Sequence, residues 1–129
     1  MIDDEVKIFN RVHSAVEPYC KRIVSTPVAD YTRLPAVSLY EMDTATIRER
    51  QSSTPAENFV RVTYQLDVAA QTKAECRKIF AAADERMIAL NFSRMSGHFI
   101  TYPTDTKVVR YVARYEAEID RDGNLYRRG

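Results

Sequence analysis

Glycine is scarce in this chain, with three in 129 residues, and tryptophan is absent. Loops that cradle phosphate need glycines where backbone N–H groups turn toward the ligand. None of the runs G-x-x-x-x-G-K-[ST], G-x-G-x-x-G or G-x-S-x-G occurs. Nucleotide-binding loops and hydrolase nucleophile elbows therefore lose their sequence support. Cysteine is nearly as rare. Cys20 and Cys76 stand far apart, in no C-x-x-C spacing, beside only two histidines, His13 and His98. Such a set is too thin for a His/Cys metal centre, and neither a metal nor a cofactor is expected. The opening MIDDEV is acidic where a secretory signal is basic, so both thiols are expected to stay free in a reducing cytosol.

Neither sign of charge dominates. Nineteen basic side chains face eighteen acidic ones, for a net charge of +1. Tight duplex binding needs an excess of Lys and Arg to displace counterions, and that excess is missing. No apolar run approaches the ~20 residues of a membrane span. What is present is ordinary for a globular protein: 45% hydrophobic and 29% charged residues. The length fits one domain, residues 1–129, with one sizeable core.

Apolar periodicity predicts a helix over residues 3–24, on a stripe of Ile2, Val6, Phe9, Val12 or His13, Val16, Cys20 and Ile23. Asp3, Asp4 and Glu5 suit the positive end of its dipole. Pro18 lacks a backbone donor, so the helix kinks there or ends near Val16 with a short second helix following. AVSLYEMD, 36–43, reads as a strand. Residues 44–58 are polar without alternation and read as a long, partner-contacting loop. Residues 59–70 alternate: Val60, Val62, Tyr64, Leu66 and Val68 point one way, Arg61, Thr63, Gln65 and Asp67 the other. T-K-A-E from Thr72 is a capping box, opening a helix that stops near Asn91. FSRMS, 92–96, reads as a strand and Gly97–Thr106 as a turn region. Residues 107–119 alternate again, with Arg110, Arg114, Glu116 and Glu118 on one side. Asp122-Gly123-Asn124 is turn chemistry and 125–128 pair back. The order α-β-β-α-β-β predicts an α+β fold, a two-layer sandwich of a mostly antiparallel sheet packed by helices.

No catalytic set assembles. His13 is expected partly buried on its helix and His98 solvated in a turn. Asp120-Arg121-Asp122-Gly123-Asn124 has its glycine too early for a calcium loop and reads as a hairpin turn. Tyr64, Tyr111 and Tyr115 fall on apolar strand faces and are expected in the core; Tyr40 and Tyr102 suit a core or an interface. Strands 59–70 and 107–119 would each run roughly 40 Å, beyond the ~28 Å of one helix, so their ends or edges are expected to project. Projecting edges invite pairing with another chain. The candidate interface or lumen residues are Arg48, Arg50, Arg61, Asp67, Arg110, Arg114, Glu116 and Glu118.

YQLDVAAQTKAECRKIFAAADERMIAL, then FSRMSG, then VVRYVARYEAEIDRDGNLYRR resemble the tail completion or tail terminator proteins of long-tailed bacteriophages. The opening helix and VADYTRLPAVSLYEMD fit the same pattern, so the resemblance covers nearly the whole chain. It implies a virion assembly protein and no enzyme. Such a protein forms a homo-oligomeric ring, commonly a hexamer, in the tail or neck of the virion, assembled in the host bacterial cytoplasm. The ring caps the tail tube protein, stops its polymerisation and offers a surface to a head-side connector protein. Genome DNA passes through without tight binding, which agrees with the near-neutral charge, and no membrane is involved. The rival expectations are another head–tail connector, distinguished by what it binds, and a small ligand-binding or enzymatic domain using a cleft beside Tyr115 and Glu116. A regulator acting as a two-fold dimer is a third.

Overall fold

The computed structural model describes residues 5–27, 33–46, 59–100 and 108–127. In chain order these form α1 (Glu5–Val16), β1 (Ile23–Val24), β2 (Ala36–Thr46), β3 (Phe59–Ala70), α2 (Lys73–Ala89), β4 (Ser93–Ile100), β5 (Val109–Asp120) and β6 (Leu125–Arg127). The strands make one sheet in the order β1-β2-β3-β5-β4, and β6 extends the β4 side of β5. All pairings are antiparallel except the two-residue contact of β1 with Val37 and Ser38 of β2. With both helices on one face, this is the α+β two-layer sandwich that the alternation predicts.

β3 runs between the bounds read from sequence and is the middle of the molecule. Val60, Val62, Tyr64, Leu66, Val68 and Ala70 point toward the helices and all are buried, as are Ala113, Tyr115, Ala117 and Ile119 beside them on β5. Burial of each larger side chain contributes roughly 1.5–3 kcal/mol. The expectation that a helix leaves the strand ends uncovered is thus corrected: two helices, side by side, close this face from Val60 to Ala70. They are joined where the Arg86 Nη1 donates to the Arg11 carbonyl at 3.3 Å.

α2 presents Cys76, Ile79, Phe80, Ala83 and Met87 to the sheet, one stripe at helical spacing. Thr72 caps it, its hydroxyl accepting from the Glu75 N–H at 3.1 Å. The helix ends at Asn91, whose φ of 73° lies in the left-handed region, and the Phe92 N–H reaches back to the Met87 carbonyl at 3.0 Å.

α1 differs from its sequence reading. Its buried stripe is Ile8, Val12 and Val16, four residues apart, whereas Val6 is 74% exposed and Phe9 half-buried. No second helix follows Pro18. The Tyr19 and Cys20 N–H groups both turn back to the Val16 carbonyl, and the chain then goes to β1. β2 continues to Thr46, taking three residues from the expected loop; residues 47–58 lie outside the described residues, as do Ile2, Asp3, Asp4, Tyr102 and Arg128. β4 runs on through Gly97 to Ile100, so His98 is on a strand, exposed, and no part of a turn.

Gly97 is placed by a close approach. A Cβ there would meet the Tyr111 hydroxyl at 2.5 Å and two of its ring atoms at 3.1 Å. The ring cannot retreat, being packed on Phe80 at 4.3 Å and Phe99 at 4.9 Å. Gly97→Ala is expected to cost about 2 kcal/mol in thermal unfolding, with most of it recovered when Tyr111→Phe is added.

Candidate assembly surface

The sheet face turned away from the helices has two halves. The inner half is closed: Ala36, Ser38, Asp67, Ala69 and Val112 are buried. The Ser38 hydroxyl donates to the Thr26 carbonyl at 2.6 Å, which brings the segment before β2 over this end. Asp67 and Arg110 form a two-pronged ion pair here, Nε to Oδ1 at 3.1 Å and Nη2 to Oδ2. Two parallel charge-assisted hydrogen bonds fix both planes, as the guanidinium fork allows.

The outer half is open and charged. Cross-strand register sets Arg61 opposite Glu118, Thr63 opposite Glu116 and Gln65 opposite Arg114. The Gln65 Nε2 donates to the Tyr40 hydroxyl at 2.8 Å, extending the polar array onto β2. Arg114 is exposed, and neither it nor Arg61 has an ion-pair partner among the described residues. Where the array is exposed, as at Arg114, ion pairs would add only ~0–1 kcal/mol each. It does hold fixed charges of both signs on rigid strands, which gives orientation to a contacting protein.

Asp120 ends the array. Its carboxylate accepts from the Asp122 and Asn124 N–H groups at 2.9 Å, from the Asn124 side chain at 3.1 Å and from the Tyr126 hydroxyl at 2.9 Å. These bonds, the Asn124 backbone N–H foremost, hold its carboxyl below the ordinary value. The carboxylate closes the β5–β6 hairpin around Gly123 at φ 83°, as the turn reading expects.

Of the residues singled out from sequence, Arg61, Arg114, Glu116 and Glu118 come together on this face. Asp67 and Arg110 lie on it too, but bound to each other at its closed end, where they support the face and are not presented by it. Arg48 and Arg50 lie outside the described residues. Sequence reasoning missed one network. The buried Tyr115 hydroxyl donates to Asp84 Oδ1 at 2.6 Å, and the Arg94 guanidinium lies 3.4 Å from the same oxygen. Burial, then the hydrogen bond to Asp84, push the Tyr115 hydroxyl far above its ordinary pKa, so it stays protonated. The available signal was the tyrosine itself, since a hydroxyl on a core strand face must find a partner.

No group of three or more His, Cys, Asp or Glu able to hold a metal occurs among the described residues, and no helix among them is long and apolar enough to cross a membrane. Both thiols are free and buried. Cys76 donates to the Val68 carbonyl at 3.3 Å, and burial pushes it up to about 11. A thiol reagent at pH 8 is therefore expected to leave both cysteines unmodified until the protein unfolds. The linked stability runs the same way. It is fully present below 9.0, the ordinary thiol value, and is lost as pH rises from there through about 11, because only the unfolded thiol ionises in that interval. Denaturant midpoints at pH 8 and pH 10.5 check the sign.

No protein-family model matches this chain, and no curated protein matches it in sequence.

Proposed function

We propose that this protein is a virion assembly component of a long-tailed phage or prophage: a homo-oligomeric ring, most simply a hexamer, that caps the tail tube. It stops tube elongation and provides the surface to which the head-side connector joins. The observation that carries this reading is the asymmetry of the sheet. One face carries the core and packs against the two helices. The other presents Arg61, Arg114, Glu116 and Glu118 in register on two twelve-residue strands. Such a face supports contact between proteins better than chemistry on a small molecule. The near-neutral net charge supports a channel through which DNA slides without being held.

The test is a tube-growth assay with the cognate tail tube protein. With the purified protein added, negative-stain images should show shorter tubes ending in a ring. Arg114→Glu, at an exposed position, should keep folding stability within ~0.5 kcal/mol yet lose capping. Tubes of unchanged length and bare ends, with the protein in excess, would overturn the reading.

A further inference from the structure

We infer that the open edge of β4, with the flank of α2 beside it, takes up an extended acidic segment of another protein by strand addition. β4 pairs with β5 on one side and has no outer partner among the described residues. Edge strands are commonly blunted by lysine, proline or a bulge. β4 carries neither lysine nor proline. Its one irregularity lies between Arg94 and Ser96, and its pairing is regular from Ser96 to Ile100. Along that run the outward backbone groups are free to pair with an added strand. The edge is also accessible, since every residue from Arg94 to His98 is exposed.

The side chains beside the edge set the charge of the segment. Gly97 and Phe99 pair with Ala113 and Tyr111 of β5, on the face turned to the helices. The Lys73 Nζ lies 5.5 Å from the centroid of the Phe99 ring, and the Arg77 guanidinium 5.3 Å from it. These two cations are four residues apart on α2, where like charges repel. Both are exposed, and neither has a carboxylate partner among the described residues. An anion placed beside Phe99 relieves that repulsion. Arg94 differs, being matched already by Asp84 at 3.4 Å. In an added strand, the residue opposite Phe99 has its Cβ roughly 5 Å away, which brings a glutamate within reach of both cations. Two residues along, the position opposite Gly97 meets no side chain and lies near the Tyr111 hydroxyl. That hydroxyl makes no hydrogen bond among the described residues and can donate to a second carboxylate.

The occupant is a peptide, and not nucleic acid, on two grounds. Only a peptide offers N–H and C=O groups at the spacing of the open edge. Single-stranded nucleic acid is held largely by bases stacking on aromatic rings, and the Phe99 ring already carries two cations. The pattern required is an acidic residue at every second position, with the intervening side chains turned to the face that carries His98. This inference goes beyond tube capping and stands whether or not the protein caps tubes.

The test titrates the full-length protein into a fluorescein-labelled peptide, TEVEVEVT, at low salt and follows fluorescence anisotropy. The wild type should bind it saturably. The double variant Lys73→Glu with Arg77→Glu should bind it more weakly by roughly tenfold or more. The same variant should bind the lysine counterpart, TKVKVKVT, which the wild type should not; a misfolded variant could not do this. Methylating every backbone nitrogen of TEVEVEVT keeps its charge but removes strand pairing, and should also weaken binding by roughly tenfold. Absence of saturable binding, equal binding by the double variant, or equal binding of the methylated peptide would overturn strand addition. A thymidine oligonucleotide that binds as tightly and displaces the peptide would overturn it in favour of a phosphate site. Loss of self-association in the double variant, by light scattering, would overturn it in favour of a contact between copies of this chain. The probe contains neither tube protein nor connector, so this inference and the capping reading can fail separately.

Discussion

Phe92→Ala is expected to lower the free energy of unfolding by about 4 kcal/mol, the largest effect of any single truncation considered for this fold. Phe92 is fully buried at the point where α2 gives way to β4. Its ring meets Tyr64 of the central strand edge-on, with centroids 5.4 Å apart. Its N–H closes the helix end on Met87, and the neighbouring Asn91 side chain donates to the Leu125 carbonyl of β6 at 3.0 Å. Removing the ring opens a cavity among elements that are already held, so the site cannot collapse to fill it. For a chain of this size the melting temperature should fall by roughly 12–20 °C. Phe92→Leu keeps most of the volume and should cost less than about 1.5 kcal/mol. A loss below about 1 kcal/mol for the alanine variant would contradict the packing described at this junction.

Asp67→Ala comes next, at about 3 kcal/mol. The carboxylate is buried and engages the Arg110 guanidinium with both oxygens. Truncation removes the counter-charge and leaves a mostly buried cation at the closed end of the sheet face. The loss is the penalty for stranding that cation, which differs from the net worth of the pair. The double variant Asp67→Leu with Arg110→Met, which replaces both charges by apolar groups of similar shape, should therefore recover most of the stability. Chemical denaturation of the two singles and the double closes the cycle. Additive losses would mean that the two side chains act separately. If the Asp67–Arg110 pair holds the inner end of the face, Asp67→Ala should also weaken tube capping, even at temperatures where the protein is folded.

Much of this fold is legible in the sequence, and what is illegible has physical causes. β3 and β5 are half-sealed strands, one face apolar and one charged, so strict alternation marks them. The Thr72 cap and the stripe from Cys76 to Met87 mark α2. The same alternation brings Arg61, Arg114, Glu116 and Glu118 to one face without further information. α1 is harder because apolar residues occur on adjacent faces, at Val6 and Phe9 as well as at Ile8, Val12 and Val16; only the partner helix decides which set is buried. β1 is a two-residue contact with a distant segment and leaves no local pattern. β4 is an edge strand whose SGHF stretch is exposed on one side and crowded by Tyr111 on the other, so glycine and histidine there imitate a turn. The pairing of Asp67 with Arg110 follows from burial of the inner half of an otherwise open face. Alternation assigns the side of the sheet but carries no record of what covers it.

The most direct test of the account is the solution mass of the purified protein by light scattering after size exclusion, alone and with its cognate tail tube protein. The expected result is a mass near six times the 14.9 kDa chain, either free or on tube ends. A monomer or closed dimer that ignores the tubes would contradict the account.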